Sequence, residues 1–260
     1  MCSRFIGILW LLGFLSAVSA EITAEAKVRE WREETVELHF SVFWSRTEAI
    51  KAIRVKAVTL KLDGGKSVAL VPAGGPSFFY ISEGVTSFFL TSEFKFVGDR
   101  HDLAESVDHI EGAIEIYDPG RDPEACVLVA DVFQKAGHLI KVDPKKNVSV
   151  FLADKDQKET FQKFLEAREE KLVLDLAKWF KVDPSEIGNN SIGMYVDGRD
   201  SKMNSLEFQN RNGIPLEGVR MSHFGNQYSI QFEKGYPADA VLAIYFLTKG
   251  SLYDVPLRKR

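Results

Sequence analysis

The chain has 260 residues and a formal net charge of −4, from 33 basic and 37 acidic side chains. This mild acidic surplus favours solubility and offers no basic stripe, so we expect no nucleic-acid partner. Its two cysteines are Cys2, in a segment we expect to be removed, and Cys126, so no intramolecular disulfide is expected. Burial of apolar side chains must therefore hold the fold together.

The first twenty residues have the pattern of a secretory signal peptide. Arg4 supplies a positive charge, an apolar run follows over residues 5–14, and small residues end at Ala20. The apolar run is too short to span a bilayer. We therefore expect cleavage after residue 20, a periplasmic or extracellular location and no membrane span in the mature chain. The alternative is an N-terminal anchor.

Residues 21–153 predict an N-terminal β-sandwich domain built from short strands. Apolar and polar residues alternate over 36–44, as in a strand with one buried face. Between 53 and 62 the apolar positions change from odd to even, which indicates a β-bulge or a strand that crosses between sheets. The other predicted strands are 22–31, 52–62, 66–71, 77–81, 85–96, 109–117, 125–133 and 147–152.

Residues 154–190 interrupt this pattern with one predicted helix, over 155–180, and a linker. Apolar side chains recur there near helical spacing, with charged residues between them. The strand pattern then resumes and predicts a small C-terminal β-sandwich domain over 191–260. The expected fold is therefore mainly β, with two antiparallel, immunoglobulin-like sandwich domains joined by one long α-helix.

One polar cluster is a candidate metal site. If residues 101–109 were helical, His101, Glu105 and Asp108 would share a face, with His109 beside them. Their nitrogen and oxygen atoms suit zinc or manganese. The alternative is a solvated turn or short helix between strands.

Exposed aromatic side chains are the candidate binding residues. Trp31 shares a face with Lys27 and Arg29 by strict alternation, which predicts its exposure at a strand end. Phe79 belongs to one of two aromatic runs, 78–80 and 88–90. Neighbouring residues on a strand point to opposite faces, so one aromatic of each pair is free to form a sugar or peptide platform. The alternative is a strand that is covered on both sides.

Known catalytic and nucleotide-binding motifs are absent from the sequence. The chain lacks G-x-S-x-G, the phosphate-binding and dinucleotide-binding glycine patterns, H-E-x-x-H and C-x-x-C. We therefore expect no cofactor.

The order of segments also carries a resemblance. A signal peptide precedes a β region that ends in the run 114–123, followed by the apolar run 127–133, a charged helix and a last strand set containing 236–242. This order resembles that of uncharacterised exported β-rich proteins of environmental bacteria, over most of residues 50–260. The resemblance implies an exported, β-rich protein and brings no catalytic residue with it.

Three functions remain open at this point. The leading hypothesis is an exported, non-catalytic binding or structural module of the cell envelope, with a protein or glycan as partner. The first alternative is a metal-dependent or carbohydrate-acting envelope enzyme that uses the cluster from His101 to His109. The second is a subunit of a surface assembly, with an exposed edge strand or apolar patch.

Overall fold

A computed structural model describes residues 22–44, 50–81, 85–98, 107–143, 145–168, 190–198 and 203–259. The fold is mainly β, with 58% strand against 10% helix, which confirms the expected class. Within the residues described, none of the helices is long and apolar enough to cross a membrane.

The first unit is one large antiparallel sheet, in the order β1-β2-β6-β4-β3-β7-β16, with β5 paired to β3. Its strands are β1 (Thr23–Trp31), β2 (Thr35–Phe43), β3 (Ala52–Leu62), β4 (Ser67–Pro72), β5 (Phe78–Tyr80), β6 (Ser87–Phe96), β7 (Val107–Tyr117) and β16 (Leu252–Pro256).

This sheet curls until its first and last strands meet. Ala24 on β1 forms a parallel bridge with Leu257, just after β16, and the N–H of Arg258 donates to the carbonyl of Ala24 at 2.8 Å. The curled sheet encloses a core that includes Phe40, Phe94 and Leu257. The inward positions of β2 are the apolar members of the alternating run predicted over 36–44.

A β-bulge lies where the sequence changes parity. Val55 pairs with Ile114 and Val58 with Gly112, so β3 has one more residue than β7 between these pairs. Gly112 has φ = +155°, and a Cβ there would lie 2.8 Å from Cγ1 of the buried Val58. The bulge prediction is therefore confirmed, and the close approach requires glycine on the partner strand.

We expect Gly112→Ala to lower the free energy of unfolding by about 1–3 kcal/mol, because the new methyl group overlaps Val58. Urea unfolding followed by fluorescence measures the change. Gly74→Ala is the matched control, since a Cβ there meets no atom within 4 Å. Equal stability of the two variants would contradict the close approach at the bulge.

The second unit consists of two facing sheets. The five-stranded sheet has the order β13-β14-β11-β10-β9, and the three-stranded sheet the order β12-β15-β8. A second core, which includes Val150, Phe208 and Ile244, lies between them. The strands are β8 (Cys126–Val129), β9 (Leu139–Asp143), β10 (Val148–Ala153), β11 (Ser191–Asp197), β12 (Met203–Gln209), β13 (Val219–Phe224), β14 (Gln227–Phe232) and β15 (Val241–Phe246).

The helix lies on a sheet face and not between two domains. Helix α1 (Lys158–Glu166) places Phe161 and Leu165 against Phe151 and Tyr195 on the outer face of the five-stranded sheet. The strand before the helix, β10, and the strand after it, β11, are antiparallel neighbours. The expected role as a connector is therefore not what the structure shows. The rest of the predicted helix, residues 169–180, lies outside the described residues.

The sheets also divide the chain differently from the expected domains 21–153 and 191–260. Strands β8 and β10, before residue 154, pair with β15 and β11 from the second expected domain. Conversely, β16 returns to pair with β7. The second unit is thus inserted in the chain between β7 and β16. The apolar faces of these strands are buried only when strands that lie far apart in the sequence pair with one another.

Two connections join the units and run side by side, one over residues 118–125 and the other over 247–251. The N–H of Asp118 donates to the carbonyl of Ser251 at 2.8 Å, and Thr248 Oγ1 donates to Oδ2 of Asp122 at 2.5 Å. These contacts fix the point at which the chain leaves the first unit and returns to it.

Leu257→Ala should destabilise the protein by about 2–4 kcal/mol, because Leu257 is buried in the first core. Leu128→Ala is the control, since Leu128 is 61% exposed, and its effect should stay within about 0.5 kcal/mol. Urea unfolding gives both values. A negligible effect at Leu257 would show that the end of the chain does not complete the first core.

Candidate functional site

The candidate site is an aromatic cluster on the outer face of β2 and β6, which we call the aromatic face. Its members are His39, Phe43 and Phe89. The rings of Phe43 and Phe89 meet edge to face with centroids 5.7 Å apart, and His39 stacks on Phe89 at 6.1 Å with an interplanar angle of 15°. Phe89 nevertheless has 58% of its surface exposed, and Phe43 has 40%. Two phenylalanines are thus held together in contact with solvent.

Strand alternation produces this face. Val36, Leu38, Phe40 and Val42 point into the first core, so the residues between them point outward. On β6, Leu90 and Phe94 point inward, which turns Phe89 outward. The pairing of Ser41 with Phe89 then places the ring of Phe89 between the positions of His39 and Phe43.

Polar groups surround the aromatic rings. A small, open depression of about 90 Å³ lies beside them, lined by Glu25, Ala26, Lys27, His39, Ser41 and Phe43. Nδ1 of His39 lies 3.2 Å from Oγ1 of Thr91, within hydrogen-bond distance. The depression is smaller than the usual enclosed ligand pocket of about 300–1,000 Å³. The arrangement therefore offers exposed aromatic rings beside polar groups, and a ligand bound there stays in contact with water.

Trp31 lies on the face opposite to the one predicted. A register shift between Val28 and Glu30 sets Trp31 opposite the buried Val36. Its ring stacks on that of Phe96, with centroids 6.3 Å apart and an interplanar angle of 2°. The side chain is 37% exposed at the end of β1, so its predicted exposure is confirmed although the predicted face is wrong. The structure therefore does not bring Trp31 to the face that carries Lys27.

Phe79 is partly buried against the first core, opposite Ile53 on β3. Its neighbour Tyr80 is the exposed aromatic residue of this strand, and its hydroxyl donates to the carbonyl of Asn204 at 3.0 Å. In the second aromatic pair, Phe88 packs against the first core and Phe89 faces outward. The predicted alternation is therefore seen in both pairs, but Phe89, and not Phe79, joins the aromatic face.

The predicted metal ligands are only partly described. His101 and Glu105 lie outside the described residues. Asp108 and His109 lie on β7, so the helical arrangement assumed for them does not hold there. Nδ1 of His109 lies 2.6 Å from Asp108, and Nε2 lies 3.1 Å from Glu111. Both ring nitrogens thus have carboxylate partners, and among the residues described no group of three His, Cys, Asp or Glu side chains is placed to hold a metal ion.

Glu111 is the carboxylate on this strand whose pKa is shifted from its ordinary value. Hydrogen bonds from His109 and Lys61, with a further contribution from Lys259, lower the pKa of Glu111 to about 2 from its ordinary value of 4.5. The ionised form is favoured in the folded protein, so the contribution to stability is complete above about pH 4.5. It is lost as the pH falls towards about 2.

We expect Glu111→Gln to lower the melting temperature at pH 5.5 and to have a much smaller effect near pH 2, where about half of the wild-type carboxylate is protonated in the folded protein. Thermal unfolding between pH 2 and pH 6 measures the difference. Glu217→Gln is the control, because Glu217 has an 88% exposed side chain and its cation, Lys234, lies 3.6 Å away. A pH-independent effect at Glu111 would contradict the role of the charge.

A second polar cluster lies at the junction of the two units. Glu207 Oε2 accepts hydrogen bonds from Gln209 at 2.8 Å and from the hydroxyl of Tyr245 at 3.0 Å, and Lys51 Nζ lies 3.1 Å away. Burial, with Glu207 nearby, raises the pKa of Tyr245, so its hydroxyl keeps its proton and donates. Burial also raises the pKa of the Cys126 thiol. The ion pair of Lys51 with Glu207 joins the units, and burial keeps the Cys126 thiol protonated, which is its unreactive form.

Comparison with protein families, with curated proteins and with solved structures found no match to this chain. The site is therefore described by its own geometry. The alternation over 36–44 turns His39 and Ser41 outward, opposite the buried residues of β2, and two residues further along the same rule reaches Phe43. That one further step would have found the second aromatic residue of the face.

Proposed function

We propose that this protein is an exported, non-catalytic binding module whose contact surface is the aromatic face. The pattern of residues 1–20 supports export. The observation that carries the binding function is the 58% exposure of Phe89, held in contact with Phe43 and His39. Exposed aromatic rings that are held together beside polar groups combine an apolar contact area with hydrogen-bonding groups, as ligand sites do.

The shape of the depression favours binding over catalysis. Catalysis usually relies on a site that excludes water and fixes acid and base groups around the reacting atoms. The depression beside Phe43 is open and holds about 90 Å³ on the side of a sheet. Glu25 and Lys27 lie on one strand there, two residues apart, so they line the same side of the depression. Such a surface can recognise a ligand while leaving it in contact with solvent.

The mature chain, residues 21–260, should bind at least one ligand on arrays of peptides and glycans. Phe89→Ala should weaken that binding about tenfold, because it removes the ring that contacts the ligand. Equilibrium titration of the bound ligand measures the change.

Phe224→Ala is the matched control, since Phe224 is 60% exposed on β13 of the second unit, away from the aromatic face. It should bind as the wild type does. Unchanged affinity in Phe89→Ala, or the absence of any bound ligand on the arrays, would overturn the proposal.

A further inference from the structure

We infer that the ligand of the aromatic face is a neutral glycan chain, an inference that rests on the proposed function. Strand register gives the face three rows across β1, β2 and β6, with hydroxyl groups at four of nine positions. The rows are Thr23, Phe43 and Ser87; Glu25, Ser41 and Phe89; and Lys27, His39 and Thr91.

The mixture of groups fits a sugar. One side of a sugar ring presents C–H bonds, which pack on the negative face of an aromatic ring. Its hydroxyl groups lose water on binding and need hydrogen-bond partners. Phe43 and Phe89 supply the first surface, and Ser41, Thr91 and Glu25 provide hydroxyl and carboxylate groups beside it.

The charges favour a neutral ligand. Glu25 and Lys27 are the charged residues that line the depression, and their formal charges cancel. A polyanionic glycan would require an excess of basic side chains, and a basic peptide an excess of acidic ones. A neutral glycan needs no excess of either charge on the protein. Its binding therefore leaves no buried charge unpaired.

The size of the face also argues against a folded protein as the ligand. Strand spacing and residue rise give the nine positions a projected area of about 10 by 14 Å, or about 140 Å². A stable protein interface buries about 800 Å² on each partner. The depression is open to solvent, so a ligand bound there need not be enclosed.

The test is affinity electrophoresis of the mature chain in gels that contain hydroxyethylcellulose, xyloglucan or galactomannan, with alginate as the anionic comparison. At least one neutral polysaccharide should retard the protein, and the retardation should persist at about 0.5 M NaCl because no net charge is involved. Phe89→Ala should weaken the apparent affinity about tenfold. Phe89→Trp should retain it, and Phe224→Ala should migrate as the wild type does.

The outcomes separate this inference from the proposed function. If none of the three neutral polysaccharides retards the protein, or if alginate does so in a salt-sensitive way, the neutral-glycan assignment is wrong. If the protein instead binds an arrayed peptide and Phe89→Ala abolishes that binding, the assignment falls while the binding function stands. Equal retardation of the wild type and Phe89→Ala would overturn both the neutral-glycan assignment and the proposed binding function of the aromatic face. Phe43→Ala, at a second exposed ring, provides an independent repeat.

Discussion

The return of β16 to the first sheet is the constraint on which the rest of the structure depends. By pairing with β7 and meeting β1 through Leu257, it closes the curled sheet around one core. The core then holds the inward residues of every strand, including Phe40 and Phe94. Because the chain must come back to β7, all of the intervening strands fold as an inserted second unit. The pairing of β16 with β7 therefore both closes the first sheet and makes the second unit an insertion in the chain.

The aromatic face follows from this closure. A curled sheet with a filled interior has one free surface, and strand alternation delivers every second residue to it. His39 and Phe43 are outward for the same reason that Phe40 and Val42 are buried. The rings are held by cross-strand contacts with Phe89 and not by burial, so they remain exposed to solvent.

Local patterns predicted most strands and failed where pairing partners mattered. The bulge in β3 was predictable because the change of the apolar residues from odd-numbered to even-numbered positions occurs within that one strand. The change of face at Trp31 was not predictable, because its register shift with β2 has no sign in the apolar pattern of β1. The strand pattern after residue 191 was predicted, but nothing in the sequence specifies that β16 pairs with β7. The aromatic face was half predictable, since alternation turned one aromatic of 88–89 outward while its proximity to Phe43 depends on folding across about 46 residues.

The two side-by-side connections also determine how the protein withstands damage to its backbone. In a linear pair of domains, a single cut in the linker separates the halves. Here a cut within 118–125 leaves the units joined through 247–251. A cut within 247–251 leaves them joined through 118–125. The hydrogen bond that Thr248 donates to Asp122 holds the cut ends near their partners. Proteolytic separation of the two units thus requires two independent cuts.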